Sequence, residues 1–272
     1  MRNEPLKTEY DNRPIGVFDS GFGGASFLRN ALRLLPDERF IYFGDNKNAP
    51  YGDRSEEEIL ILAENAADYL VDMGVKTLVV ACNTATSAAI KVLRERLDVP
   101  VVSVEPAIKP ACELPGNGRV LMLATVATTR LSRYRALVSR MPDPGRVISV
   151  GCSGIVERIE KCVTDAAAFD DIFAEKLAPY EGLEVSGIVL GCTHFPFIQP
   201  AFERWAEKHF TGERRFFDGN EGTARQLKRV LEARGLAAEP GKAPEDRVTF
   251  LTSGDPGVCG PIFDRLLAVP IT

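Results

Sequence analysis

The run Leu78-Val79-Val80-Ala81-Cys82-Asn83-Thr84 is continuously apolar and ends in a small residue, a cysteine and two polar side chains. The same order returns at Ile188-Val189-Leu190-Gly191-Cys192-Thr193-His194. A short apolar run bounded by polar punctuation reads as a strand covered on both faces, the kind found in parallel sheets. Two similar α/β domains, each presenting one cysteine from a strand end, account for this echo. Chance likeness of two buried strands accounts for it equally well on the echo alone.

Working outward, Ile15 to Phe18 reads as another buried strand, followed by the turn Asp19-Ser20-Gly21-Phe22-Gly23-Gly24. A helix is expected over 25–35, stopped by Pro36, and a strand from Arg39 to Phe43. Ser55-Glu56-Glu57-Glu58 is a capping box, with a hydroxyl at the N-cap and a carboxylate three residues on. Ile59, Leu62, Ala63, Ala66, Leu70 and Met73 then form a helical stripe, and Gly74 suits the position just past the helix end. A helix from about Thr86 to Leu97 leads through Pro100 to a strand at 101–104. Strands are expected again at 120–123, 146–150 and 185–190, with helices around 129–140, 153–162, 167–179 and 197–210. Residues 1–13 are polar and expected to be loosely held. Alternating strands and helices imply α/β architecture with parallel sheets.

The chain has 272 residues, 45% hydrophobic and 26% charged. That length accommodates two domains and buries roughly 70% or more of the unfolded surface, so neither disulfides nor metal are needed to hold a core. Net charge is −5, and Arg214-Arg215 is an isolated basic pair, so nucleic acid is not an implied partner. The negative charge would also repel an anionic substrate at long range, so an anion site must be built locally. Met1 to Leu6 contain no apolar signal core, and no apolar run reaches about 18 residues. The expected location is therefore cytoplasmic, with no membrane partner. Six cysteines occur without any CxxC, and only His194 and His209 could join them as zinc ligands. Neither a disulfide scaffold nor a metal site is expected. Most of the thiols should be buried and inert.

Cys82 and Cys192 are the exceptions. Ligands in open α/β sheets bind beyond the carboxyl ends of the strands. Cys82 also precedes a helix, whose free N–H groups should lower its thiol pKa. Asn83 and Thr84 offer helix caps or hydrogen bonds to a ligand. His194, two residues from Cys192, suits an acid/base role, whereas His209 has no such neighbour. Asp19 could orient a thiol or an ammonium group, or simply cap the next helix. Gly21-Phe22-Gly23-Gly24 matches neither dinucleotide nor Walker A spacing. Ala49-Pro50-Tyr51-Gly52 reads as a plain turn or as a backbone lip over a substrate. No lysine sits at a strand end for a Schiff base, and no Ser–His–Asp arrangement is visible.

Asp19-Ser20-Gly21, Pro50-Tyr51-Gly52, Ala81-Cys82-Asn83-Thr84 and Gly191-Cys192-Thr193-His194 resemble the signature stretches of the glutamate racemases. Val104-Glu105-Pro106, Thr125 with Thr128, and Thr252-Ser253-Gly254-Asp255 are similar to that family as well, and the matches run in family order over 14–255. The resemblance implies two similar parallel-sheet α/β domains related by a pseudo-two-fold axis, with the active site between them. It assigns residues 1–98 plus 208–272 to the first domain and 99–207 to the second. It also implies a homodimer and a cofactor-independent isomerase supplying D-glutamate for peptidoglycan synthesis.

By the same resemblance Cys82 and Cys192 are the two bases, the first acting on D-glutamate and the second on the L-isomer. Asp19, His194 and Glu160 assist them, with Glu157 as the alternative to Glu160. Substrate contacts fall on Asp19, Ser20, Pro50, Tyr51, Gly52, Asn83, Thr84, Thr125, Thr128, Thr193 and His194. Two departures stand out: Leu131 where the family commonly has Ser, and Ser153-Gly154-Ile155-Val156 in place of a bulkier stretch. The rival readings are an aspartate or hydantoin racemase, and a binding protein acting on DNA gyrase. Gyrase binding is not expected, because only about 13 polar residues precede Ile15, fewer than the added segment that role implies.

Overall fold

The computed structural model describes residues 10–161 and 165–270. The expected loose segment 1–13 lies mostly outside them, as do Cys162 and the end of the helix expected at 153–162. Among the described residues, nine strands form two sheets. β1 (Ile15–Asp19), β2 (Phe40–Gly44), β3 (Thr77–Val80), β4 (Val101–Ser103) and β9 (Val248–Thr252) pair in the order β4-β3-β1-β2-β9. β5 (Arg119–Ala124), β6 (Val147–Gly151), β7 (Val185–Leu190) and β8 (Arg215–Asp218) pair in the order β6-β5-β7-β8. Every pairing is parallel.

Laid over one another, β4-β3-β1-β2 and β8-β7-β5-β6 are the same arrangement, each strand four places on in chain order. The sequence echo thus falls on equivalent strands, β3 and β7. β9 is an addition to the first sheet with no counterpart in the second among the described residues.

The expected cuts at 98 and 207 each separate a strand from its sheet. β4 completes the first sheet and β8 the second, so the chain changes sheets after Ser103 and after Asp218. The two crossings touch, since a Cβ on Gly219 would lie 2.2 Å from the Glu105 carbonyl oxygen. One apolar cluster also runs through both halves, joining Phe22 and Phe27 to Leu190 and Phe195.

α1 (Ala25–Leu34) ends just before Pro36, and local signals act as expected in α2 (Glu56–Asp72). Ser55 Oγ accepts from Glu58 N at 3.2 Å, and Glu58 Oε2 accepts from Ser55 N at 2.9 Å. Gly74 then takes a left-handed φ of 76°, which a side chain would strain. α3 (Asn83–Arg96) begins three residues before the expected Thr86, making Cys82 itself the N-cap. The helix expected at 129–140 is broken at Leu131 into Val126–Arg130 and Ser132–Ser139. Among the described residues, no helix is long and apolar enough to cross a membrane.

At the N-terminal end of β3, Lys76 Nζ forms an ion pair with Glu38 Oε2 at 2.5 Å and donates to the Asp11 carbonyl at 2.6 Å. Both side chains are buried. Removing one partner of a buried pair strands the other charge. Lys76→Met is therefore expected to lose about 3–5 kcal/mol of unfolding free energy in urea. A loss under about 1 kcal/mol would show that the pair is solvated.

Candidate active site

Residues just past the carboxyl ends of β1, β2, β3, β5, β6 and β7 line one cleft between the two sheets, with about 580 Å³ of empty space, mouth included. Parallel sheets put all their strand ends on one side, and here those ends in both sheets bring loops to a shared space. Cys82 enters from the first half and Cys192 from the second, at equivalent positions.

Cys82 caps α3, and its sulfur accepts from Ala85 N at 3.4 Å. Ser20 Oγ lies 3.3 Å from the same sulfur. The sequence suggested a lowered pKa from the helix end; the structure reverses that. Burial pushes the Cys82 thiol up to about 12, and the nearby Asp19 charge adds to it, outweighing Ser20 and the Ala85 N–H. Asn83 and Thr84 are then the first helical residues rather than caps, with both side chains turned to the cleft lining.

On the other wall, His194 Nδ1 lies 3.8 Å from Cys192 Sγ, and Nε2 lies 2.9 Å from Glu160 Oε1. Burial opposes charge on the imidazole, but its hydrogen bonds to Cys192 and Glu160 and their charges raise its pKa well above the ordinary value. The imidazole beside the Cys192 sulfur is thus biased towards its protonated form. The expected result in an NMR titration is a His194 ring that keeps its proton well above pH 6.5, and Glu160→Gln should lower that midpoint. The linked stability is full below the unfolded value of about 6.5 and is lost as pH rises through the folded one. An unchanged midpoint in Glu160→Gln would mean the carboxylate does not govern the ring.

Asp19 links the walls. Its carboxylate is fully buried, accepts from Gly21 N at 2.8 Å and from Thr193 Oγ1 at 3.2 Å, and caps no helix. Burial raises its pKa, opposed mainly by the His194 charge. Thr84, Thr125 and Thr128 hydroxyls meet across the domains at 2.9–3.1 Å.

Of the expected residues, Ser20, Pro50, Tyr51, Gly52, Asn83, Thr84, Thr125, Thr193, His194 and Glu160 line the cleft with both cysteines. Asp19 and Thr128 lie one layer behind, bonded to lining residues. Glu157 also lines it, but only Glu160 bonds His194. Leu131 is buried away from the lining, so the missing Ser leaves the cleft intact. His209 stacks on Trp205 and bonds Glu181 at 2.9 Å, far from this chemistry. Cys152, expected to be inert, lines the cleft instead, and burial followed by the Cys192 charge pushes its thiol up to about 12. Its position directly after β6 was the available signal. Among the described residues, no group of three His, Cys, Asp or Glu could hold a metal ion.

The model of the Asp/Glu/hydantoin racemase family matches residues 15–227. The chain belongs to that family. As an Asp/Glu/hydantoin racemase it is an isomerase, and its relatives narrow the kind. It is 42% identical over 239 residues to a glutamate racemase of Clostridium perfringens, covering 87% of this chain and 90% of that one. It is 40% identical to a glutamate racemase of Clostridium botulinum, covering 89% and 92%. A Thermus thermophilus glutamate racemase in complex with beta-chloro-D-alanine superposes with a TM-score of 0.79 at 34% identity, covering 95% and 94%. One from Francisella tularensis in complex with D-glutamate gives 0.80 at 28%, covering 94% of each.

Proposed function

We propose that this racemase interconverts L- and D-glutamate without a cofactor, using Cys82 and Cys192 as bases on opposite faces of Cα. The observation that carries the reading is the placement of two thiols at equivalent strand ends, each with its own polar partners, in one shared cleft. Racemisation removes the Cα proton on one face and returns a proton on the other. Each base must act as acid in the reverse direction.

Cys82, held protonated by burial, is the resting acid. Cys192, beside the His194 ring, acts as the base that takes the proton of L-glutamate. Cys82 then protonates the opposite face and gives the D-isomer; the return trip reverses both roles. The carbanion formed on the way loads negative charge onto the α-carboxylate. Hydroxyls of Ser20, Thr84 and Thr193 and backbone N–H groups at the start of α3 hold that charge, a reading supported by their position on the cleft lining. Asp19 acts on Cys82 and on the substrate ammonium, and Glu160 acts through His194. Thr125 and Thr128 complete the carboxylate-binding wall with Thr84, and Pro50, Tyr51 and Gly52 cover the substrate.

We further assign the product to peptidoglycan synthesis in the cytoplasm and the working unit to a homodimer, on the resemblance to the glutamate racemases. Circular dichroism of L-glutamate incubated with protein free of metal and pyridoxal phosphate tests the reaction. The signal should decay to zero, and D-glutamate should decay to the same end point. Decay of L-aspartate or a hydantoin with glutamate untouched would instead favour the rival racemases.

A further inference from the structure

Asp45 belongs to none of the motifs above, yet it is the most heavily bonded carboxylate near the cleft. It lies just past β2 and is 4% exposed. Oδ2 accepts from Tyr51 Oη at 2.6 Å and Asn48 Nδ2 at 3.1 Å. Oδ1 accepts from Ser253 Oγ at 2.5 Å and Asn48 Nδ2 at 3.0 Å. Three side chains from two segments thus converge on one buried anion, and charge-assisted bonds of this kind are the stronger ones.

Tyr51, itself buried, is the middle residue of the Pro50-Tyr51-Gly52 lip. The Tyr51 ring also packs against Phe18 in the core, Arg54 closes the loop by donating to the Asn48 carbonyl at 2.7 and 2.9 Å, and Gly52 lies against Thr125 of the other half, where a Cβ would be 3.2 Å from Thr125 Cβ; the bond to Asp45 is what fixes the Tyr51 hydroxyl. Ser253 comes from the end of β9, the one strand the second sheet lacks. Ser253 N also donates to the Gly44 carbonyl at 3.1 Å, and Thr252 Oγ1 to Asn46 Oδ1 at 2.7 Å. The fifth strand therefore reaches the substrate lip through Asp45.

We infer that Asp45 is a positioning residue which, braced by Ser253 of β9, holds Tyr51 and the lip at the height needed to cover the substrate. The inference rests on the reading of the cleft as the glutamate site. The lip covers substrate but touches no transferred proton, so its loosening should weaken binding more than proton transfer.

Asp45→Asn replaces one acceptor oxygen by a donor that faces Tyr51, Asn48 or Ser253, each already donating. KM for glutamate should rise about tenfold or more, with kcat changed less than about threefold, a split that general loss of folded protein would not give. Ser253→Ala removes a single brace and should raise KM about two- to fivefold, which keeps the test alive if Asp45→Asn does not fold. In a double-mutant cycle with Tyr51→Phe, the pair should raise KM no more than Tyr51→Phe alone, because the carboxylate works through that hydroxyl. Folded Asp45→Asn and Ser253→Ala proteins with wild-type KM, or effects of Asp45→Asn and Tyr51→Phe that simply multiply, would overturn the inference. Failure of the wild type to racemise glutamate would instead overturn the reading of the cleft, so the two failures are distinct.

Discussion

Cys82→Ala and Cys192→Ala are each expected to lower glutamate racemisation by about 10⁴-fold, the upper range for loss of a positioned acid or base. The double variant should be scarcely slower than either single one, because the two thiols act as one unit and neither half completes a turnover. Serine is no substitute: a hydroxyl ionises far less readily than a thiol, so Cys→Ser should also cost orders of magnitude. What remains after each truncation should differ in hand. Cys192→Ala keeps the base assigned to D-glutamate and Cys82→Ala the one assigned to L-glutamate, so any residual exchange of the Cα proton should be confined to that isomer. Optical rotation and NMR of Cα exchange read the two effects separately. Full activity in either alanine variant would end the two-base account.

Gly23→Ala should be the most damaging change outside the reacting groups. A Cβ there would lie 2.4 Å from His194 Nδ1 and 2.5 Å from Thr193 Oγ1. Neither neighbour can step back freely. His194 is held from behind by Glu160 at 2.9 Å, and Thr193 is tied to buried Asp19. The methyl must push the ring from Cys192 or part the two halves of the molecule. Overpacking of this kind costs about 1–3 kcal/mol of stability. Displacement of a catalytic partner by about 1 Å costs about 10²-fold in rate. The expected variant is therefore folded, modestly less stable and about 10²-fold slower, with a lowered His194 titration midpoint. Wild-type kcat/KM in Gly23→Ala would show that His194 tolerates displacement and does not position Cys192.

The sequence made the paired cysteines legible because β3 and β7 are covered on both faces, so nearly every residue before Cys82 and Cys192 is apolar. Residues past 210 were harder. β8, Arg215-Phe216-Phe217-Asp218, is an edge strand with partly exposed side chains and no continuous apolar run. β9 is likewise an edge and only partly buried. The cuts at 98 and 207 follow the resemblance rather than the strand pattern, and so they part β4 and β8 from their sheets. Cys152 follows a strand interrupted by the exposed Ser149, which weakened the same signal that marked the other two cysteines. The direction of the Cys82 shift was illegible for a different reason. A helix end is visible in sequence, but the desolvation that outweighs it comes from tertiary packing around Cys82, with Phe18, Tyr51 and Ala127 in the same apolar cluster. Asp45 sits in Gly44-Asp45-Asn46-Lys47-Asn48, which reads as an ordinary polar turn; its role depends on Ser253, 208 positions away.

The most direct test is the fate of the Cα hydrogen when L-glutamate is converted in deuterated water and sampled at the first few per cent of turnover. Two bases on opposite faces never return the proton they remove, so the D-glutamate formed should carry deuterium at Cα in full. D-glutamate that retains the original protium would mean that a single group carries the proton from one face to the other, and would contradict the account.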